Sequence, residues 1–167
     1  MRLASIAVAI ILGALIQPAM AAGKHEHGKA SLNIAVDGNR LIIELDSPAD
    51  NLLGFEHQPG SDVEKARLAE ALATLRDGAA LFAMPPGADC RLQYAAVSPP
   101  EYGGDGHADF EASWEFRCGG MAALEWLETW LFARFPGIRQ LATSIIAPAG
   151  QAAAVLMPGS SRALLPR

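Results

Sequence analysis

Residues 107–118, HADFEASWEFRC, decide the fold class because apolar and polar residues alternate along the whole stretch. One side of the predicted strand is apolar and consists of Ala108, Phe110, Ala112, Trp114, Phe116 and Cys118. The other side is polar and consists of His107, Asp109, Glu111, Ser113, Glu115 and Arg117. This period of two is typical of an antiparallel sheet with one face on the core and the other in water.

The flanking sequence supplies the rest of the sheet. Alternation and apolar runs bounded by turn residues predict further strands at residues 30–36, 40–45, 90–97, 138–147 and 151–157. Ser61 and Glu64 form a capping box that begins a helix, and Gly78 is placed to end it. A second helix is predicted over residues 121–135. The expected fold is α+β in the order ββα-ββα-ββ, with about six mostly antiparallel strands and two helices packed on one face.

The length and charge of the chain limit what it can be. Its 167 residues suffice for one domain. A total of 13 Lys and Arg against 18 Asp and Glu leaves a formal charge of −5, which disfavours a nucleic-acid partner. No run reaches the ~18 apolar residues that a membrane span of the mature chain would need.

Residues 1–22 are predicted to be a secretory signal. Arg2 supplies the positive start, residues 3–16 form an unbroken apolar run, and Ala19-Met20-Ala21 is a typical cleavage site. Cleavage is expected near Ala21 or Ala22, and a bacterial periplasm fits this signal best. The mature chain would then consist of a single domain over residues 23–157 and a flexible tail over residues 158–167.

Two cysteines remain in a chain bound for an oxidising compartment. Cys90 begins one predicted strand and Cys118 ends the next, and the midpoint between them falls in a glycine-rich loop. A hairpin folded at that loop would bring the two thiols together, which predicts a disulfide. The alternative is a pair of buried free thiols.

The mature chain contains no recognisable catalytic motif, so its four histidines are the main candidates for chemistry. They occur in three places, and each place has an acidic neighbour. The histidines are His25, His27, His57 and His107, and the neighbours are Glu26, Glu56, and Asp109 with Glu111. The predicted hairpin directions bring all three places to one edge of the sheet. Imidazoles and carboxylates gathered there favour Zn²⁺ first, although Cu²⁺ and other divalent transition metals accept the same donors.

Several short motifs occur in a definite order and spacing along the chain. They are His25-Glu26-His27-Gly28, Gly54-Phe55-Glu56-His57, His107-Ala108-Asp109, the cysteine after the alternating strand, Phe132-x-x-Phe135-Pro136 and Pro148-x-Gly150-Gln151. In this order and spacing, over about residues 24–157, the chain resembles the ZrgA-like periplasmic zinc-uptake proteins.

The resemblance implies a periplasmic protein that binds zinc and assists its import, by buffering it or by passing it to the binding protein of a zinc importer. Carried over by position, the implied ligands are His25, His27, His57, His107 and Asp109. Glu26, Glu56 and Glu111 are alternative ligands or orienting partners. Several family members have a long His/Asp-rich insertion where this chain has only residues 98–106, so one structured site is expected here.

Two other functions remain open at this point. A metal-independent interaction module would use Trp126 and Trp130, which are spaced one helical turn apart, or an open sheet face. A zinc hydrolase would need a general base beside a substrate cleft, and the sequence offers no convincing one. We therefore expect a binding protein and not an enzyme.

Overall fold

The computed structural model describes residues 26–102 and 107–167, which form nine strands and four helices. The predicted signal segment, His25 and the tip of the loop at residues 103–106 lie outside the described residues. The strands are β1 (Lys29–Asp37), β2 (Arg40–Pro48), β3 (Phe82–Ala83), β4 (Cys90–Val97), β5 (Asp109–Cys118), β6 (Trp126–Thr129), β7 (Gln140–Ala147), β8 (Gly150–Leu156) and β9 (Arg162–Leu164). The helices are α1 (Ala49–Leu53), α2 (Asp62–Arg76), α3 (Gly78–Leu81) and α4 (Leu131–Arg134).

Six of the described strands form one sheet in the order β4-β5-β2-β1-β7-β8. Every pair in this sheet is antiparallel except β1 with β7, which is parallel. Along β5 the apolar residues are buried and the intervening polar ones are not, as the alternation predicts. The α+β class is therefore confirmed. The predicted order ββα-ββα-ββ, with about six strands and two helices, is not matched, because the described residues form nine strands in two sheets and four helices.

Helix α2 begins at the predicted capping box. The Ser61 hydroxyl accepts from the Glu64 amide, and the Glu64 carboxylate accepts from the Ser61 amide. The helix packs through Leu75 on the core face of the sheet, where the indole N–H of Trp114 donates to the Leu75 carbonyl at 2.7 Å. Gly78 begins α3 and does not cap α2, because its role is close packing: a Cβ there would lie 2.3 Å from the Trp114 ring.

The predicted helix over residues 121–135 is wrong. This stretch contains a single 3₁₀ turn at Met121–Ala123, then β6 and the four-residue helix α4. Strand β6 is hydrogen-bonded on one side to β3 and on the other to β9. Backbone partners on both sides are a tertiary feature that outweighs local helix propensity, and the alternating burial of Leu127 and Thr129 agrees with a strand.

Two further segments, one after β2 and one at the C-terminus, also differ from the predicted element order. The residues after β2, expected to be a loop, contain the short helix α1. The last ten residues, expected to form a loose tail, contain β9, and Ala163 and Leu165 are buried. These residues complete a second, three-stranded sheet in the order β3-β6-β9.

Cys90 and Cys118 form the predicted disulfide. They are direct partners in the antiparallel pairing of β4 with β5, at the end of the hairpin opposite its loop. The bridge therefore closes the edge hairpin of the larger sheet. None of the helices in residues 26–102 and 107–167 has the length and apolar character needed to cross a bilayer.

Candidate metal centre

Three chain segments meet at one end of the larger sheet. The residues before β1, the helix α1 after β2 and the start of β5 are neighbours there, because Pro48 pairs with Asp109 and the Ala49 amide donates to the Ala108 carbonyl at 2.8 Å. His27 precedes β1 and His107 precedes β5, so the topology brings these two predicted ligands to the same edge.

Glu56 lies between the two histidines. Its Oε2 is 2.9 Å from His107 Nδ1, and its Oε1 is 3.6 Å from His27 Nε2. The Glu56 side chain is 12% exposed, whereas the imidazoles of His27 and His107 are 57% and 53% exposed. A largely buried carboxylate therefore joins two half-exposed imidazoles from segments that are distant in sequence.

The second ring nitrogen of His27 faces another carboxylate. Asp50, in the first turn of α1, places an oxygen 3.2 Å from His27 Nδ1. A carboxylate on one ring nitrogen orients an imidazole and directs the other nitrogen to a metal. Asp50 was not among the predicted site residues because its segment was expected to be a loop. The acidic residue shortly after Pro48, a signal for the first turn of a helix, was the available clue.

The pair formed by His27 and Glu56 has the chemistry and spacing for a zinc ion. Two ligand atoms of a tetrahedral zinc ion are about 3.3 Å apart, close to the 3.6 Å separation between His27 Nε2 and Glu56 Oε1. Glu56 Oε1 is also buried, and no atom of residues 26–102 and 107–167 forms a hydrogen bond with it. Among residues 26–102 and 107–167, however, no three His, Cys, Asp or Glu side chains already form a group that could hold a metal.

Asp109 and Glu111 lie next to this cluster on the water-facing side of β5. Both line a surface concavity of ≈360 Å³ together with His107. Asp109 is partly buried and Glu111 is exposed. The predicted ligand Asp109 thus shares a cavity wall with His107.

A family model described as ZrgA family zinc uptake protein matches residues 24–165. The chain belongs to this family. The match confirms the resemblance and extends it through β9. A search of curated proteins finds no match.

Other predicted ligands of this ZrgA-family chain have different surroundings. His57 Nε2 is 3.1 Å from Glu64 Oε1, and the centroid of its ring lies 4.9 Å from that of Phe55 with the two rings tilted by 36°. Glu26 pairs with Lys29 at 2.7 Å. The structure therefore brings His27, Glu56 and His107 together, with Asp109 nearby, but turns His57 and Glu26 toward other partners.

The contact with His57 is one of several that act on Glu64. The backbone amides of Ser61 and Gly60 both donate to its carboxylate, and they lower the pKa of Glu64 to about 2, with a smaller contribution from His57. His57 therefore contacts the first turn of α2 through Glu64.

The two tryptophans considered for a metal-independent interaction module do not share a helical face. Trp126 lies in β6 under the guanidinium of Arg162, 4.0 Å from the ring centroid. Trp130 precedes α4 and is half-exposed over a shallow concavity of ≈310 Å³. The helical spacing that suggested a shared groove is absent because residues 126–129 are a strand.

Proposed function

We propose that this ZrgA-family chain binds Zn²⁺ in the periplasm and assists zinc uptake without catalysing a reaction. The family match supports the link to zinc uptake. The cluster at the sheet edge supplies imidazole and carboxylate donors, a combination that zinc binds readily. The signal predicted at residues 1–22 supports export.

The ligands we propose are His27 through Nε2, Glu56 and His107, with Asp50 orienting the His27 ring. The single observation that carries this proposal is the Glu56 carboxylate. It is held between two imidazoles, and one of its oxygens is buried without a hydrogen bond to any residue that the structure describes. A buried polar atom without a partner is costly, and a bound cation would remove that cost. Asp109 is the fourth donor we propose, since it shares a concavity with His107.

The exposure of this cluster supports a carrier in preference to a structural zinc site. Structural zinc sites are closed and coordinated wholly by protein. Here both imidazoles are more than half exposed, so a bound ion would remain within reach of solvent and of another protein. The recipient we propose is the periplasmic binding protein of a zinc importer.

Calorimetric titration of metal-stripped, signal-free protein with Zn²⁺ tests the proposal. We expect one site, and we expect His27→Ala, Glu56→Gln and His107→Ala each to weaken it by at least the roughly 10–100-fold typical of outer-shell changes. His57→Ala is the matched control, since it removes an exposed histidine whose contacts are Glu64 and Phe55. The Zn²⁺ affinity of His57→Ala should stay within about twofold of that of the wild type.

Two results would contradict zinc binding at this centre. One is a wild-type protein that takes up no zinc, which would favour the metal-independent interaction module. The other is unchanged affinity in both Glu56→Gln and His107→Ala. An Asp109→Asn variant tests the fourth donor separately.

The export part of the proposal has its own test. The protein is expressed with its first 22 residues, the periplasmic fraction is isolated, and the N-terminus is sequenced. We expect the mature chain to begin immediately after Ala21 or Ala22. Recovery of the uncleaved chain in the cytoplasm would refute export.

A further inference from the structure

Asn51 is a buried polar residue outside the proposed ligands, and its side chain makes three hydrogen bonds. It is 2% exposed, and it lies in α1 directly after Asp50. Its Oδ1 accepts from the Gly28 amide at 2.6 Å, and its Nδ2 donates to the Lys29 carbonyl at 2.8 Å and to the Ser47 hydroxyl at 3.1 Å. Asn51 thus ties α1 to the segment that immediately follows His27.

Arg139 holds the same segment through other atoms. Its guanidinium donates to the His27 carbonyl at 3.0 Å, and its backbone amide donates to the Gly28 carbonyl at 2.8 Å. Gly28 itself has a φ of +88°, and a Cβ there would lie 2.3 Å from Arg139 Nε. The His27 carbonyl, the Gly28 amide and the Gly28 carbonyl therefore all form hydrogen bonds, and these hold the backbone of His27 in place.

Asn51 has little freedom to move away from this segment. A Cβ on Gly137 would lie 2.3 Å from the backbone oxygen of Asn51, so the two backbones are in direct contact. Consecutive residues of α1 consequently act on one histidine in different ways: Asp50 contacts the ring of His27, and Asn51 holds the peptide next to its backbone.

We infer that Asn51 is a positioning residue for zinc, acting only through His27, an inference that rests on the proposed function. Its buried amide holds the backbone so that the His27 ring stands between Asp50 and Glu56. Without these hydrogen bonds the ring would have to be ordered when the ion binds, and this cost would appear as lost affinity. The expected loss for Asn51→Ala is roughly 10–100-fold, the range for residues that orient metal ligands.

A double-mutant cycle separates positioning from general damage to the fold. Zn²⁺ affinity is measured for wild type, Asn51→Ala, His27→Ala and the double variant. If Asn51 acts through His27, Asn51→Ala will weaken binding in the wild-type background and change it by less than about twofold in the His27→Ala background. Equal losses in both backgrounds, or no loss in either, would overturn the inference.

Two further variants guard against misfolding. Thr129→Val removes another buried polar side chain, whose hydroxyl contacts Leu81 and Leu131 in the second sheet, and should leave zinc affinity unchanged. Asn51→Leu removes the same hydrogen bonds while keeping most of the side-chain volume, and it replaces Asn51→Ala in the cycle if that variant does not fold.

An imidazole NMR spectrum supplies a second readout. Zinc should shift the Nε2 signal of His27 in wild type, and the shift should be reduced or broadened in the Asn51 variant. A wild type that binds no zinc would refute the proposed function and this inference together. A zinc-binding wild type with an additive cycle would refute the inference alone.

Discussion

Glu56 illustrates what a single residue contributes at this site. From sequence it was an alternative ligand or an orienting partner, and its neighbour His57 was the predicted ligand. The structure points Glu56 toward His27 and His107 and turns His57 toward Glu64. The direction of two consecutive side chains in an irregular segment depends on what packs around them, which no sequence periodicity encodes.

Gly28 is the residue whose backbone conformation the site requires. Its positive φ disfavours any side chain, so Gly28→Ala should lower the free energy of unfolding by roughly 1–2 kcal/mol. The new Cβ would also displace the Arg139 guanidinium from the His27 carbonyl, so zinc affinity should fall as well. Urea denaturation and zinc titration measure the two effects.

Gly38→Ala is the matched control for this prediction. Gly38 also has a positive φ, but a Cβ there would meet nothing within 4 Å. We expect a similar loss of stability and unchanged zinc affinity. Equal zinc affinity in the two variants would mean that the contact between Gly28 and Arg139 does not matter for the site.

At the scale of elements, the helix with an explicit start signal was predicted correctly and the one without was not. Ser61 and Glu64 form the expected capping box, and α2 follows directly. The stretch 121–135 has apolar residues at helical spacing, but it has no such cap and is divided between β6 and α4. Hydrophobic spacing alone did not distinguish a helix from a strand with neighbours on both sides.

The capping box also makes a prediction about pH. The folded chain lowers the pKa of Glu64 from 4.5 to about 2, so the ionised carboxylate is favoured by folding. The associated stability is fully present above pH ~4.5 and is lost as the pH falls toward 2. Glu64→Gln should therefore lower stability at pH 6 and reduce its dependence on pH between 4.5 and 2, as measured by urea denaturation.

His57→Ala provides the comparison for this experiment. The amides of Ser61 and Gly60 lower the pKa of Glu64 more than His57 does, so this variant should keep most of the pH dependence. If His57→Ala lost as much of the pH dependence of stability as Glu64→Gln does, the imidazole, and not the backbone amides, would be what keeps the Glu64 carboxylate ionised.

At the scale of the whole molecule, the strand orders of the two sheets determine which chain segments meet. The parallel pair β1 and β7 lies inside the larger sheet, and the second sheet recruits β9 from the end of the chain. Ala163 and Leu165, from the segment that was expected to be loose, are therefore part of the core.

Adjacent leucines near the C-terminus test this conclusion. Leu165 is 6% exposed and Leu164 is 70% exposed. Leu165→Ala should lower the free energy of unfolding by about 2–3 kcal/mol through lost burial and a cavity, whereas Leu164→Ala should change it by less than about 0.5 kcal/mol. Urea denaturation of both variants measures the difference, and equal stabilities would mean that residues 158–167 do not stabilise the fold.

The sequence by itself determined the features that depend on local order. Alternating residues specified the faces of β1 and β5, the capping box specified where α2 begins, and the hairpin midpoint predicted the pairing of Cys90 with Cys118. Each of these follows from residues that are near one another in the chain or are related by one turn. The motifs in order along the chain were also enough to indicate the family.

Only the tertiary structure decided which side chains meet at the sheet edge. Glu56 and His107 are 51 residues apart, and Asn51 reaches Gly28 over 23 residues, so their contacts depend on how α1 docks against the starts of β1 and β5. The same holds for β6, which is a strand because β3 and β9 hydrogen-bond to it. Non-local partners set side-chain direction and strand pairing, and local sequence carries no record of them.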